Sequence, residues 1–388
     1  MAHGKPRKDE VKGAGKQIPR REFLGQIALA GAGLVLGASV LRAASYTQSD
    51  STLYISTPVL NPPDSFPAIP GAFQHVTKNV KVPFHPNSIW NRPIGQNPKI
   101  KSHSKRMMQG LLAQFDDPDH AAITLSGVNQ VWSQPVYYAD ENTPRRRVCY
   151  PDHVSFCTND VPIPDEALPD PTSDGNAVVI DTSVIPNRAW SFWALARSNG
   201  VREDWIAGSY GWTDISATGD GLRNHGGGRW GGRATGWNKY AGLITPEEIR
   251  QGQIDHALVM SIDGAVVSRQ PVWPALGSDG YSFDPNDVPM GARFQLDPEV
   301  DVNDLNLTEG GKVIARALQT HGAWLGDTGT ATAIYAQEFL TIDVFGEVVL
   351  DPSPWEGLLS GDDLADFPMS SLRIVEVNRS DFYEKYGD

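Results

Sequence analysis

Four side chains in the middle of this sequence could move protons. Asp174 stands in a Ser-Asp-Gly turn, Glu247 at a Thr-Pro-Glu-Glu helix start, and Asp255 and His256 where that helix gives way to an apolar run. Glycoside hydrolysis needs a pair of carboxyl groups flanking the scissile bond, about 5–5.5 Å apart for retention or 6.5–9.5 Å for inversion. Asp174, Glu247 and Asp255 are the candidates for such a pair. His256 titrates near neutrality, so it is a candidate acid or base. In a lyase acting on a uronate, His256 or His225 would abstract the proton. A core histidine with its hydrogen bonds satisfied is the competing reading of His256. On a regular strand, adjacent Asp255 and His256 would point to opposite faces.

Tryptophan surrounds these residues. Of the 11 in the chain, seven fall between Trp190 and Trp273. An indole buries well in a core, and its flat face also stacks on the C–H side of a pyranose. Trp205, Trp212, Trp230 and Trp237 lie in Gly-rich, polar segments and are the candidates for sugar contact. The segment 225–236 adds His225, Arg229 and Arg233, three potential cations that could form an anion-binding patch in an acidic protein. In a lyase, Arg229 or Arg233 would neutralise the substrate carboxylate. The alternative is a structural loop whose arginines pair with nearby carboxylates. Gly226, Gly228 and Gly231 match the spacing of a dinucleotide loop, but turn residues precede them and no long helix follows. His-Gly-Gly-Gly also matches an esterase oxyanion loop, yet the chain has no Gly-x-Ser-x-Gly elbow.

The two cysteines, Cys149 and Cys157, can close a small loop outside the cytosol, worth about 2–3 kcal/mol in the chain-entropy model; two buried thiols are the alternative. No second Cys or His pair sits at zinc-ligand spacing, and no metal site is assigned. No cofactor is expected. Calcium is the one ion that the acidic stretches 279–287 and 297–304 would admit. Asp301 and Asn303 begin like an EF-hand loop, but Asn306 stands where Gly is required, and surface solvation suits these acids better.

The elements that must position these groups are mostly short β runs. Residues 131–138, 177–181, 189–194, 257–262, 339–344 and 347–350 are β-branched or aromatic in the main and bounded by turn formers. Helical spacing predicts three helices, over 104–115, 245–251 and 308–321. With 38 Gly and 29 Pro, the pattern predicts a mainly β fold. It would be a β-sandwich or jelly-roll-like single large domain over 86–388, with about three short helices, after an extended lead-in over 45–85. No repeat that would build a propeller is visible.

Residues 1–44 have a different character. Eight basic and three acidic residues give them a net charge of +5, so the chain's −13 leaves −18 for 45–388. An excess of that size disfavours nucleic acid and anionic lipid as partners. About 15 apolar residues follow the basic region, against the roughly 20 needed to span a bilayer. Pro19-Arg20-Arg21-Glu22-Phe23-Leu24-Gly25 resembles a twin-arginine export signal. That implies the twin-arginine translocation machinery as a partner during export. It also implies an extracellular or periplasmic location, tethered if the signal stays uncleaved, with no membrane span in the mature chain.

A wider resemblance rests on Asn87-Ser88-Ile89-Trp90-Asn91-Arg92-Pro93-Ile94, Ser173-Asp174-Gly175, Gly211-Trp212 and Ala234-Thr235-Gly236. It continues through Gly242-Leu243-Ile244-Thr245-Pro246-Glu247-Glu248-Ile249, Ile254-Asp255-His256-Ala257-Leu258 and Arg293-Phe294-Gln295-Leu296-Asp297-Pro298. In these the chain resembles a group of secreted bacterial proteins, largely uncharacterised. The resemblance implies one co-extensive domain over about 85–350 and supplies no reaction. The residues lead to an exported glycan-active protein, a polysaccharide hydrolase or lyase working by carboxylate and His chemistry in a Trp-lined cleft. The alternative is a non-catalytic carbohydrate-binding or cell-envelope structural protein.

Overall fold

The run Ala177–Asp181 reads Ala-Val-Val-Ile-Asp without alternation, and all five residues are buried. A strand of that kind must be covered on both faces. In the computed structural model Val178 and Ile180 enter the larger of two cores, Ala177 and Val179 the smaller. The strand is the middle of a five-stranded sheet in the order Gln337–Glu338, Gln134–Ala139, Ala177–Asp181, Arg188–Trp193, Ser209–Asp214. Its first two junctions are parallel and its last two antiparallel.

The structure describes residues 83–380 apart from 96, 119–120, 152, 199–204, 223–224 and 226–230, with backbone alone at 153–155. The export signal, most of the lead-in, Arg229 and Trp230 lie outside the described residues. Strand outweighs helix, 31% against 15%, and the chain is mainly β and sandwich-like. A six-stranded mixed sheet shares the larger core, in the order Thr124–Ser126, Ala333–Tyr335, Leu258–Asp263, Ala323–Gly329, Arg293–Leu296, Leu372–Val375. A four-stranded sheet, ordered His153–Pro162, Arg145–Tyr150, Trp205–Ile206, Ala196–Arg197, covers the smaller core with Val148, Val161 and Trp205.

Three α-helices are present among the described residues, where helical spacing places them: α1 (Ser104–Leu112), α2 (Pro246–Gln251) and α3 (Glu309–Thr320). α1 buries Met107, Met108 and Leu111. α2 opens on the Thr245/Glu248 capping box with Pro246 in its first turn. After α3 the chain turns at Gly322, φ +70°, where an added Cβ would lie 2.2 Å from the Phe294 carbonyl oxygen, so only glycine fits. The strand expected from 131 begins at Gln134 instead, because Trp132 adopts a left-handed φ of 79°. Trp90 is 1% exposed and meets Trp237 edge to face at 5.3 Å, so the ordered domain takes in the Asn87–Ile94 motif.

Two connections pass between the large sheets side by side. Ser126 pairs with Tyr335 in one sheet, and Gln134 with Gln337 in the other. The Ala336 amide donates to the Ser126 carbonyl at 2.9 Å across this seam. The neighbouring Gly127 has φ +95°, and a Cβ there would lie 2.2 Å from the Ala336 oxygen.

Cys149 and Cys157 face each other in the antiparallel pair Arg145–Tyr150/His153–Pro162 and are disulfide-bonded. Replacing both by serine should lower the unfolding free energy by about 2–3 kcal/mol, the chain-entropy value for so short a loop. The check is a pair of urea titrations, and coincident midpoints would show that the bond does not stabilise the fold.

Candidate active site

The loop 231–244 runs between the two large sheets and is held by both. Asn238 Nδ2 donates to the Ala189 carbonyl at 2.7 Å, and Ser191 Oγ donates to that of Gly231, both on the five-stranded side. Thr235 Oγ1 donates to the Gly326 carbonyl at 3.2 Å, and the Ile244 amide to Tyr335 at 3.1 Å, on the other side. Such a loop satisfies its backbone internally, so it can bury what it carries. It carries two cations inward, Arg233 and Lys239, each 1% exposed.

Both cations meet the seam. Arg233 Nη2 donates to Gln134 Oε1 at 3.2 Å, and Nη1 lies 3.7 Å from Asp327 Oδ2. The guanidinium carbon is 4.6 Å from the Tyr335 ring centroid. Nε and Nη1 of Arg233 and Nε2 of Gln134 are buried without a hydrogen-bond partner among the described residues, so the guanidinium is held mainly by charge and by the Tyr335 ring. Lys239 has Arg233, Asp327, Asp174 and Asp170 as electrostatic neighbours. Burial, reinforced by Arg233, pulls its ammonium down to about 8.

The acids of this cluster differ in environment. Asp327, on Ala323–Gly329, keeps 17% of its side chain exposed. Burial and then the Asp279 charge push its carboxyl up to about 6, against the pull of Lys239 and Arg233. Asp279 accepts the Thr328 hydroxyl at 2.8 Å. Tyr335 is held in the neutral phenol form by burial and by Asp327. Asp174 is half-buried, accepts the Trp193 indole N–H at 3.1 Å, and acts electrostatically on Lys239, Asp327 and Tyr335.

A second acid pair adjoins the first. Asp170 accepts the amides of Thr172 and Trp132, each at 2.8 Å, and the Thr172 hydroxyl. Burial raises its pKa and these donors oppose the rise. Glu338 is 1% exposed and lies against Asp170 and the Ser133 backbone. Burial and the Asp170 carboxylate beside it push Glu338 up to about 10, so it is a neutral acid at pH 7. The site therefore joins an acid that titrates near 6, further carboxylates, two buried cations and a neutral phenol. Such a set can hold a proton and hand it over near neutral pH.

The other residues singled out in the sequence fall elsewhere. Glu247 is on α2, paired with Arg250 at 3.0 Å, and acts on Tyr138 and Tyr240. Asp255 is exposed and accepts the Gln253 amide. His256 is 5% exposed with both ring nitrogens engaged, Nε2 with Glu248 Oε1 at 2.8 Å and Nδ1 with the Ala257 carbonyl at 3.0 Å. That leaves it no face toward a substrate. Trp205 and Trp237 are core residues, 2% and 1% exposed, rather than cleft walls. Core packing claims them, Trp205 in the smaller core beneath the Arg197 guanidinium at 4.6 Å, and Trp237 against Trp90 and Trp324. Trp212 is half-buried between the Arg188 guanidinium at 4.1 Å and the exposed His225 ring, stacked at 4.5 Å. Of the expected site residues, Asp174 and Arg233 enter the cluster; Glu247, Asp255 and His256 share a different neighbourhood.

Lys239, Asp327, Asp279, Tyr335, Glu338 and Asp170 were not singled out. Their one signal was a charge set among bulky apolar residues, as in Trp-Asn-Lys-Tyr and Trp-Leu-Gly-Asp. A cavity of about 320 Å³ lies elsewhere, bordered by Lys101, Trp273, Gly291 and Glu376. Its acid, Glu376, is already paired with Lys99 at 2.8 Å, so the chemistry is not there. Asp279 belongs to the Asp327 cluster, whereas Asp284 and Asp301 cap their own turns, Asp284 binding the Asn286 amide at 2.8 Å and Asp301 that of Asn303 at 2.9 Å. Among the described residues no three His, Cys, Asp or Glu side chains are grouped as metal ligands. None of their helices is long and apolar enough to cross a membrane. No family model, curated protein or solved structure matches the chain.

The His256–Glu248 pair carries a stability signature. Burial works to lower the His256 pKa and to raise that of Glu248, but their mutual contact wins, leaving His256 raised and Glu248 lowered. The imidazolium's contribution is complete below its ordinary value of 6.5 and is lost as pH rises through the raised one. The carboxylate's is complete above its ordinary value of 4.5 and is lost as pH falls through the lowered one. Glu248→Gln should therefore destabilise most between pH 4.5 and 6.5, by about 3 kcal/mol. Melting temperatures across pH check this, and a gap that is flat with pH would refute it.

Proposed function

We propose that this chain is an exported glycan-active enzyme that hydrolyses glycosidic bonds at the Asp174–Asp327 site. The observation that carries the reading is the Asp327 carboxyl, pushed up to about 6 in the same electrostatic cluster as Asp174. Two carboxyl groups held in unlike environments are the recurrent equipment of an acid and its partner. Asp327 is the general acid that protonates the departing oxygen. Asp174 takes the proton of the attacking water, or bonds the anomeric carbon before water releases the sugar. Arg233 and the neutral Tyr335 supply donors beside the developing charge, and Lys239 keeps Asp327 from rising further. Excess acid in the cluster suits an uncharged glycan over a uronate.

One observation favours elimination instead. Lys239, brought down to about 8, could serve as the base of a lyase. The two reactions leave different products. Incubation with mixed plant, algal and bacterial polysaccharides should release reducing ends without the ultraviolet absorbance of an unsaturated sugar. Appearance of that absorbance would transfer the assignment to the lyase. Retention on an insoluble glycan with neither signal would transfer it to a non-catalytic binding or envelope protein. Export through the twin-arginine route is supported by Arg20 and Arg21 and by the resemblance to secreted bacterial proteins. Arg20→Lys with Arg21→Lys should leave the chain in the cytoplasm on fractionation.

The general acid works protonated, so kcat should fall as pH rises above about 6. Asp327→Asn should lower kcat by about 10²–10⁴ with little change in KM. Lys239→Met removes a charge that lowers the Asp327 pKa, so the falling limb should move to higher pH. Steady-state profiles of the three proteins test the assignment, which fails if Asp327→Asn keeps wild-type kcat.

A further inference from the structure

We propose that Trp132 and Trp193 form the sugar platform of this site and that its ligand is an uncharged pyranose chain laid across the turn 170–175. The inference rests on the catalytic reading for the identity of the adjacent acid and goes beyond it in naming what is gripped. Neither indole belongs to the Trp205, Trp212, Trp230 and Trp237 set that the sequence suggests.

Trp132 through its backbone and Trp193 through its indole are tied to one turn. The Trp132 amide donates to Asp170 Oδ2 at 2.8 Å, and Asp170 Oδ1 accepts the Thr172 amide at 2.8 Å. Thr172 Oγ1 accepts the Asp174 amide at 3.2 Å, and Asp174 Oδ1 accepts the Trp193 indole N–H at 3.1 Å. The turn itself docks on the end of the Arg188–Trp193 strand, where the Leu195 amide donates to the Gly175 carbonyl at 2.9 Å. A continuous set of hydrogen bonds thus runs from the Trp132 backbone, past the candidate carboxylate, to the Trp193 indole.

Their exposure is not that of stray surface residues. Trp132 is 48% exposed although its backbone sits at φ 79°, a conformation that L side chains rarely adopt. Holding a large apolar ring in water at a strained position costs stability, and such positions concentrate where a ligand is gripped. Trp193 is half-buried with one part of its ring against Gly208, where an added Cβ would lie 2.5 Å from Cζ3. Glycine at 208 lets the ring lie flat on the backbone. By contrast the exposed Val344 and Phe345 lie in the turn between Leu340–Ile342 and Val348–Leu350, whose Asp343 accepts the amides of that same turn.

The chemistry of the occupant follows from these groups. Indole faces attract the C–H side of a sugar ring, and carboxylates accept its hydroxyls. The half-buried Asp174, hydrogen-bonded to the Trp193 indole, repels an anionic sugar, which leaves a neutral pyranose as the ligand that both features favour.

The test uses the Asp327→Asn chain and neutral hexasaccharides of glucan, mannan, xylan and chitin, read by titration calorimetry and tryptophan fluorescence. At least one should bind. Trp132→Ala and Trp193→Ala should each weaken it by about tenfold or more, Trp132→Phe by less, and Phe345→Ala not at all. Equal melting temperatures separate loss of binding from loss of fold, and Trp132→Phe keeps the test open if Trp132→Ala fails to fold. Binding indifferent to both indoles overturns the platform, as does failure of every neutral hexasaccharide. Cleavage by the unmutated chain without dependence on Trp132 removes the platform and leaves the hydrolase. Indole-dependent binding without cleavage removes the hydrolase and leaves the platform.

Discussion

Arg233 and Lys239 are placed where water cannot reach them, between two sheets, and much else in the domain follows from that. A cation removed from water loses several kcal/mol of hydration unless fixed charges and dipoles replace it. Here Asp327, Asp174, Gln134 and the ring of Tyr335 supply the replacement, and each comes from a different segment. The compensation is incomplete, since Nε and Nη1 of Arg233 lack a hydrogen-bond partner among the described residues and Lys239 is displaced toward neutrality. A scaffold optimised for stability alone would fill such a place with leucine. The charges also explain why the seam is so closely specified, down to the glycine at 127 whose side an extra carbon would obstruct.

The two buried ionic groupings in this domain behave differently. His256 and Glu248 form a closed pair, with both imidazole nitrogens and both ends of the carboxylate engaged. It titrates, but it offers no open valence. The cluster around Asp327 is open by the same measure, with opposing charges at longer range and one carboxyl partly exposed. Perturbed titration alone does not separate structure from chemistry; the number of uncommitted donors and acceptors does.

The sequence revealed elements more readily than encounters. Helices α1 to α3 and the run at 177–181 were legible, because periodicity and capping are local properties of the chain. Asp174 was legible as a carboxylate in a Ser-Asp-Gly turn, but the turn alone does not distinguish an exposed turn carboxylate from one half of an acid/base pair. Arg233 is legible as a cation in a glycine-rich loop, either in an anion-binding patch or paired with a carboxylate; it pairs with Asp327, and nothing local says that the loop lies between sheets. Trp205 and Trp237 were misplaced for the same reason: polar neighbours in sequence do not prevent an indole from packing inward. Lys239 and Asp327 went unnoticed because each is ordinary where it stands and matters only beside the other.

The seam also sets a temporal order. The hydroxyl of Ser133 bonds the carbonyl of Ala336 across a separation of 203 positions, and the strands on either side of that bond can pair only once both ends of the chain exist. Contacts of such range form slowly, because a long loop must close before it is rewarded. On a ribosome the stretch holding Asp327, Tyr335 and Glu338 emerges late. Until it arrives Arg233 and Lys239 stay hydrated, and the cluster that their counter-charges complete cannot assemble on a nascent chain that ends before this stretch.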